Sequence, residues 1–300
     1  MTTMVSPQIQ QPVLHGLPAA LSGLQRCLVM GVLNVTPDSF SDGGAFLDAG
    51  AAVAHGLAMI AEGADLVDVG GESTRPGAQR VDAARETHRV LPVVRALAEA
   101  GVPVSIDTMR ASTASAAVQA GACLVNDVSG GLADKAMART VAALEVPFVA
   151  MHWRGHSADM DIRAVYDDVV AEVVAELESR LADLAAQGLS RDYVVIDPGL
   201  GFAKQGLHNW SLLAHFEALQ ALGRPVLVGA SRKGFLGTLL ADGSGEPRPA
   251  DRRADATTAL SSLLAANGAW GVRVHDVAGS ADAVRVVAAL EAAKHGRDVT

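Results

Sequence analysis

A chain of 300 residues, half of them hydrophobic and only 4% aromatic, supports one large core or two small ones filled by Ala, Val and Leu. An α/β barrel of about 250 residues folds as one unit, so length alone does not impose two domains. The formal charge of −9 and the lack of a long basic run argue against a nucleic acid or an anionic membrane surface as partner, without excluding a locally basic site.

Residues 1–26 carry no basic group ahead of an apolar stretch, which speaks against a signal peptide. No run approaches the roughly 20 apolar residues that span a bilayer. The expectation is a soluble cytoplasmic protein with a flexible leader over 1–26, one domain over 27–295 and a flexible tail over 296–300. Cys27 and Cys123 form no metal-type cluster and read as small core residues in a reducing compartment.

From residue 27 short apolar runs alternate with longer amphipathic ones. Strands are expected at 27–33, 64–70, 102–107, 122–127, 146–152, 193–198, 224–230 and 270–276. The stretches between them have helical spacing, and many end in a glycine suited to the left-handed residue that closes a helix: Gly63, Gly101, Gly121, Gly188, Gly223 and Gly268. An open doubly wound sheet shares this alternation. The count of eight and the polar residues after the runs favour a single (β/α)8 TIM barrel. The least regular segments are 34–47, 71–82, 153–163 and 241–254, the last expected to be mobile.

In such a barrel, functional side chains sit at the C-terminal strand ends. Three groups stand there. Asp107, Asn126 and Asp197 end strands and point inward, where polar groups must be paired. Together they offer donors and acceptors to the edge of a nitrogen-rich heterocycle; a satisfied structural network explains them equally well. Lys233, Arg273 and His275 close the last two strands, where barrels often bind phosphate, and Arg suits bidentate contacts with it. Alternation along an extended segment turns Arg273 and His275 the same way, with Val274 behind. Asn34, where the chain leaves the first strand, offers an oxygen to a hard ion bridging diphosphate oxygens. Gly43-Gly44 and Pro76-Gly77 permit sharp bends in loops that close over a substrate.

The motifs NVTPDSFSDGG at 34–44, GGESTRPGA at 70–78, SIDT at 105–108, NDVSGG at 126–131, DPGLGFAK at 197–204, GASRKGFLG at 229–237 and RVHDV at 273–277 resemble, in order, those of the dihydropteroate synthases, a pterin-binding TIM-barrel family. MHWRGHSAD at 151–159 resembles the actinobacterial type. The resemblance implies condensation of a pterin diphosphate with p-aminobenzoate, sulfonamides as competitors, a Mg2+ cofactor and a homodimer. It implies that Asp107, Asn126, Asp197 and Lys233 bind the pterin, with Met151 and Phe202 as pocket walls. Thr74, Arg75, Pro76, Ser231 and Phe40 would serve the p-aminobenzoate side, and Arg273 and His275 the diphosphate, with Val274 between them. Asn34 would accompany the magnesium, and Asp38 would support developing cationic charge. His152 reads as a packed or rim histidine rather than a base. A methyltransferase using the same barrel would need neither the diphosphate cations nor the loop motifs, and an idle paralogue would be expected to lose part of the cationic set.

Overall fold

Eight of the apolar runs form parallel strands: β1 (Leu28–Asn34), β2 (Leu66–Gly70), β3 (Val104–Asp107), β4 (Leu124–Asp127), β5 (Phe148–Met151), β6 (Val194–Asp197), β7 (Leu227–Val228) and β8 (Gly271–Val274). They belong to a computed structural model that describes residues 12–36, 45–72, 81–155, 162–296 and 298, the side chains of 45–48 excepted. The strand order is β6-β5-β4-β3-β2-β1-β8-β7. The ends of this ring meet at a bridge between Ile196 and Val226, where the Ile196 amide donates to the Pro225 carbonyl at 2.9 Å. The result is a (β/α)8 barrel. β7 is shorter than the apolar run around it: past Val228 the chain leaves the ladder at Gly229, where a side chain would face Arg273 and Asp197 at 3.9 Å.

The helices, in chain order, are α1 (Ala19–Ser22), α2 (Ala45–Ala61), α3 (Ala83–Glu99), α4 (Ala111–Gln119), α5 (Met137–Leu144), α6 (Val169–Ala186), α7 (Gly206–Ala214), α8 (Phe216–Gln220), α9 (Gly234–Leu239), α10 (Ala254–Ala266) and α11 (Val277–Lys294). In α6, Asp168 caps the amides of Val170 and Ala171 at 3.0 Å each. Val169, Val173, Leu177, Leu181 and Leu184 form its buried stripe. The six glycines expected to close helices all have positive φ; α5, which lacks one, ends on Glu145 at φ 53°. Among the described residues no helix is long and apolar enough to cross a membrane.

The pleat sends alternate residues of each strand to opposite faces. Val29, Leu33, Val67, Val69, Ile106, Val125, Ile196, Val272 and Val274 pack toward the helices. Leu28, Met30, Leu66, Leu124, Val149, Val195 and Leu227 fill the barrel interior at its lower end. Cys27 belongs to the core, and burial pushes its thiol up to about 12.

Two segments differ from expectation. The described part of the 1–26 leader is packed: Leu14, Leu17, Leu21 and Leu24 lie against the lower interior layer. Arg26 pairs with both oxygens of Asp65 at 2.7 Å, and the Arg224 guanidinium donates to the Val13 carbonyl at 3.1 Å. The physical reason is the apolar interior itself, whose open lower end needs a cover. The segment 241–254, expected to be a mobile loop, is internally braced. Asp242 accepts from the amides of Ser244 and Glu246, and the Arg253 guanidinium donates to the carbonyls of Arg248, Arg232 and Lys233.

Leu21 is 5% exposed, and truncating a buried leucine removes transfer energy and leaves a cavity. Leu21→Ala is expected to lower unfolding stability by about 2–4 kcal/mol, read as a lowered urea midpoint. An unchanged midpoint would show that α1 does not close the barrel.

Candidate active site

The alternation that fills the lower interior with leucine brings polar groups to the upper mouth. Asp107 of β3 lies opposite Asn126 of β4, and Met151 of β5 opposite Asp197 of β6. Asp107, Asn126, Met151 and Asp197 are all buried. Arg273 reaches in from β8 with about a fifth of its side chain exposed.

The centre of this group is a residue absent from the sequence candidates. Asp68, the middle residue of β2, is 0% exposed. Its Oδ2 accepts from Arg273 Nε at 2.6 Å and from Asn126 Nδ2 at 2.8 Å. Arg273 Nη2 donates to Asp107 Oδ2 at 2.6 Å. One carboxylate thus fixes both the guanidinium plane and the turn of the Asn126 amide, whose nitrogen is committed to it. The available signal was parity: Leu66 and Asp68 share the inward face of β2, and a carboxylate among apolar neighbours must find a partner.

Asp197 is organised by its own loop. Its Oδ1 accepts from the Gly199 amide at 2.7 Å. Gly199 has φ +66°, and a Cβ there would lie 2.4 Å from the His152 carbonyl, so only glycine fits. Phe202 of the same loop lies under Lys233, whose Nζ is 4.0 Å from the ring centroid. On the other side, the Ser231 hydroxyl stands 3.1 Å from His275 Nδ1 and accepts from the His275 amide at 3.2 Å. Val274 is buried among the helix-facing residues and does not line the mouth with Arg273.

Burial sets the protonation of these groups. It pushes Asp107 up to about 7 despite Arg273, and raises Asp197 against the opposing pull of the Gly199 amide, Lys233, Arg273 and Lys204. It lowers Lys233 to about 8. His152 is buried, with its ring between Glu176 and Lys204; burial first, and then Lys204, bring it down to about 4. A neutral ring with both nitrogens engaged is a packed histidine, in keeping with its sequence reading.

Asn34 ends β1 beside Gly70 and is partly exposed. Asp38, Phe40, Thr74, Arg75 and Pro76 lie outside the described residues, as do Gly43, Gly44 and Gly77. The chain on both sides of 73–80 is tied to one cation: Arg110 donates to Glu72 Oε2 at 2.7 Å, to the Val81 carbonyl and to the buried Glu86. Among the described residues no three His, Cys, Asp or Glu side chains gather into a metal centre.

The mouth therefore combines hydrogen-bonding ends for a flat polar ring with cations for an anion. Residues 30–275 match the family model described as pterin binding enzyme, a span that holds every candidate from Asn34 to His275. The chain is 58% identical over 262 residues to the dihydropteroate synthase of Mycobacterium leprae, covering 87% of this chain and 92% of that protein. The chain belongs to the dihydropteroate synthase family. It is a transferase of this kind. The Bacillus subtilis dihydropteroate synthase is 41% identical over 89% of this chain and 90% of its own, so the actinobacterial relative is nearer in sequence. Among solved structures, the Xanthomonas albilineans dihydropteroate synthase with 4-aminobenzoic acid superposes with a TM-score of 0.82 at 45% identity, covering 89% of this chain and 94% of that one. A Yersinia pestis dihydropteroate synthase in a sulfonamide complex gives 0.83 at 37% identity, covering 93% and 100%.

Asp68 supplies a test of the network. Asp68→Ala leaves a partly buried guanidinium and a buried amide without their shared acceptor and is expected to cost about 2–4 kcal/mol of stability. Calorimetric unfolding measures it. Wild-type stability would mean that Arg273 is held by Asp107 alone.

Proposed function

We propose that the chain condenses 6-hydroxymethyl-7,8-dihydropterin diphosphate with p-aminobenzoate, giving 7,8-dihydropteroate and pyrophosphate. The observation that carries this reading is the Asp68–Arg273–Asp107 bridge beside Asn126, Asp197 and Lys233. It presents acceptors and donors for a pterin edge next to cations for a diphosphate. The ligands of the solved relatives, 4-aminobenzoic acid, a sulfonamide drug and 7,8-dihydropteroate, support the same substrates and competitors here.

In this reading Asn126, Asp197 and Lys233 hold the pterin between Met151 and Phe202. Arg273 uses Nε and Nη2 on the two aspartates, which leaves Nη1 for the diphosphate, and His275 with Ser231 meets it from β8 and the turn after β7. The bond between the pterin methylene carbon and the diphosphate oxygen breaks, its electron pair leaving with the diphosphate. Arg273, Lys233 and His275 stabilise that growing negative charge, while Asp197 and Asp107 favour the methylene cation. The arylamine lone pair forms the new C–N bond, and the nitrogen then gives up a proton. Asp38, Phe40, Thr74, Arg75 and Pro76 are assigned to closing the p-aminobenzoate side.

A single amide oxygen at the β1 exit suits Mg2+, which keeps several waters and takes much of its coordination from substrate phosphates. Asn34 would hold it, and its positive charge would assist the leaving group. We further propose a cytoplasmic homodimer. Leu263 on α10 with Val286 and Leu290 on α11, each about 60% exposed, offer an apolar surface for a second copy, and light scattering after gel filtration tests it.

The deciding assay is pyrophosphate release from the pterin diphosphate. Steady-state release is expected to be strongly accelerated by added p-aminobenzoate and inhibited by sulfonamides; release that p-aminobenzoate does not accelerate, or no release at all, would remove the reading. Arg273→Lys keeps the charge but loses the planar fork and is expected to slow single-turnover release at least tenfold.

The pH dependence follows from Lys233. Its pKa lies below the ordinary lysine value, so the ammonium is charged below about 8 and is lost above it. Pterin diphosphate affinity is therefore expected to weaken as pH rises through 8, and Lys233→Met is expected to flatten that limb. Calorimetric titrations from pH 6 to 9 measure both.

A further inference from the structure

The mechanism leaves a buried cation near the mouth unused. Lys204, at the end of the loop after β6, is 8% exposed. Its ammonium donates to the carbonyls of Gly199 at 3.1 Å and Phe202 at 3.0 Å, and meets His152 Nδ1 at 2.9 Å. Three donors have three acceptors, an arrangement that suits the charged form. With Nδ1 accepting, His152 carries its proton on Nε2, which donates to Glu176 Oε2 at 3.0 Å.

The loop so held is an unusual piece of chain. Gly199, Gly201 and Ala203 have φ of +66°, +73° and +46°, a succession of left-handed residues that turns carbonyls toward a common centre. That centre is Lys204 Nζ. The loop is tied twice more, by the Gly199 amide on Asp197 and by the Gly201 amide on Asn209 Oδ1 at 2.7 Å. Two of the residues assigned to the pterin, Asp197 and Phe202, lie in or beside it.

We propose that Lys204 is a positioning residue of the pterin subsite, locking the loop after β6 through the carbonyls of Gly199 and Phe202. This rests on the functional reading above. The charged groups facing Asp197 are Lys233 from the turn after β7, Arg273 from β8 and Lys204 from its own loop. Those facing Lys204 are Asp197, Arg154, Glu176 and Lys233, besides His152. Burial pulls Lys204 down to about 7 and raises Asp197. In acid, Lys204 is fully charged, and its removal shifts Asp197 protonation to higher pH.

The test compares the full-length wild type with Lys204→Met and Lys204→Arg, using 6-hydroxymethylpterin as probe in calorimetric titrations from pH 5 to 8. Lys204→Met is expected to bind at least tenfold more weakly at neutral pH, with its acid limb moved up by half a pH unit or more. In turnover, KM for the pterin diphosphate is expected to rise tenfold while kcat changes less than threefold. Lys204→Arg keeps a cation on the same carbonyls and is expected to recover most of the affinity and the original limb. Wild-type affinity in Lys204→Met, or a loss of affinity with an unmoved limb, overturns the proposal.

If Lys204→Met does not fold, His152→Phe removes one acceptor and keeps the ring volume. It is expected to weaken the probe three- to tenfold, and unchanged affinity overturns the proposal. Amide hydrogen exchange over 199–203 separates this idea from the functional reading. Faster exchange in Lys204→Met supports the lock even where the wild type fails to bind the pterin, a failure that would sink the reading instead. Unchanged exchange overturns the lock.

Discussion

The guanidinium of Arg273 lies across the mouth of the barrel between Asp68 and Asp107, and the rest of the site is arranged around that bridge. A cation and two carboxylates withdrawn from water cost several kcal/mol each unless their geometry is good and their remaining hydrogen bonds are made. Here the bridge joins β2, β3 and β8, and Asn126 adds β4 through Asp68. Closing the barrel in this register puts the four groups within hydrogen-bonding distance. A slip of one residue in any strand would turn its polar group toward the helices. Barrel closure and site geometry are therefore one constraint.

Much of this was legible in the sequence because it depends on local rules. Strand runs, helical spacing and glycine stops are short-range signals, and the six glycines have the backbone geometry expected of them. Asp107, Asn126, Met151 and Asp197 were found because each ends an apolar run, so its place at the mouth follows from the barrel alone. Asp68 was missed because it sits inside its run, and only the register of β2 against β1 and β3 turns it inward toward Arg273, 205 positions away. The leader was misread for a related reason. Leu14, Leu17 and Leu21 look like scattered apolar residues until the lower end of the interior exists for them to cover. Likewise the polar composition of 241–254 suggests mobility, whereas its order comes from Arg253 donating to carbonyls on the far side of α9.

Charge balance shows how an acidic chain could accept the anionic substrate proposed for it. Formal charge over the molecule is −9, yet field at a site depends on nearby groups rather than on the total. Asp68 and Asp107 are already answered by Arg273, and Asp197 by the Gly199 amide with Lys233 and Lys204 nearby. The carboxylates lie inside the barrel, whereas Lys233 and His275 are partly exposed at its rim. In the proposed reading a diphosphate would lie by these cations, and a pterin ring set deeper would meet acceptors whose charge is already compensated. Depth along one axis would thus separate the two halves of the proposed substrate. Strand alternation creates that axis: the same inward face is leucine at the bottom, paired aspartate in the middle and cation at the top.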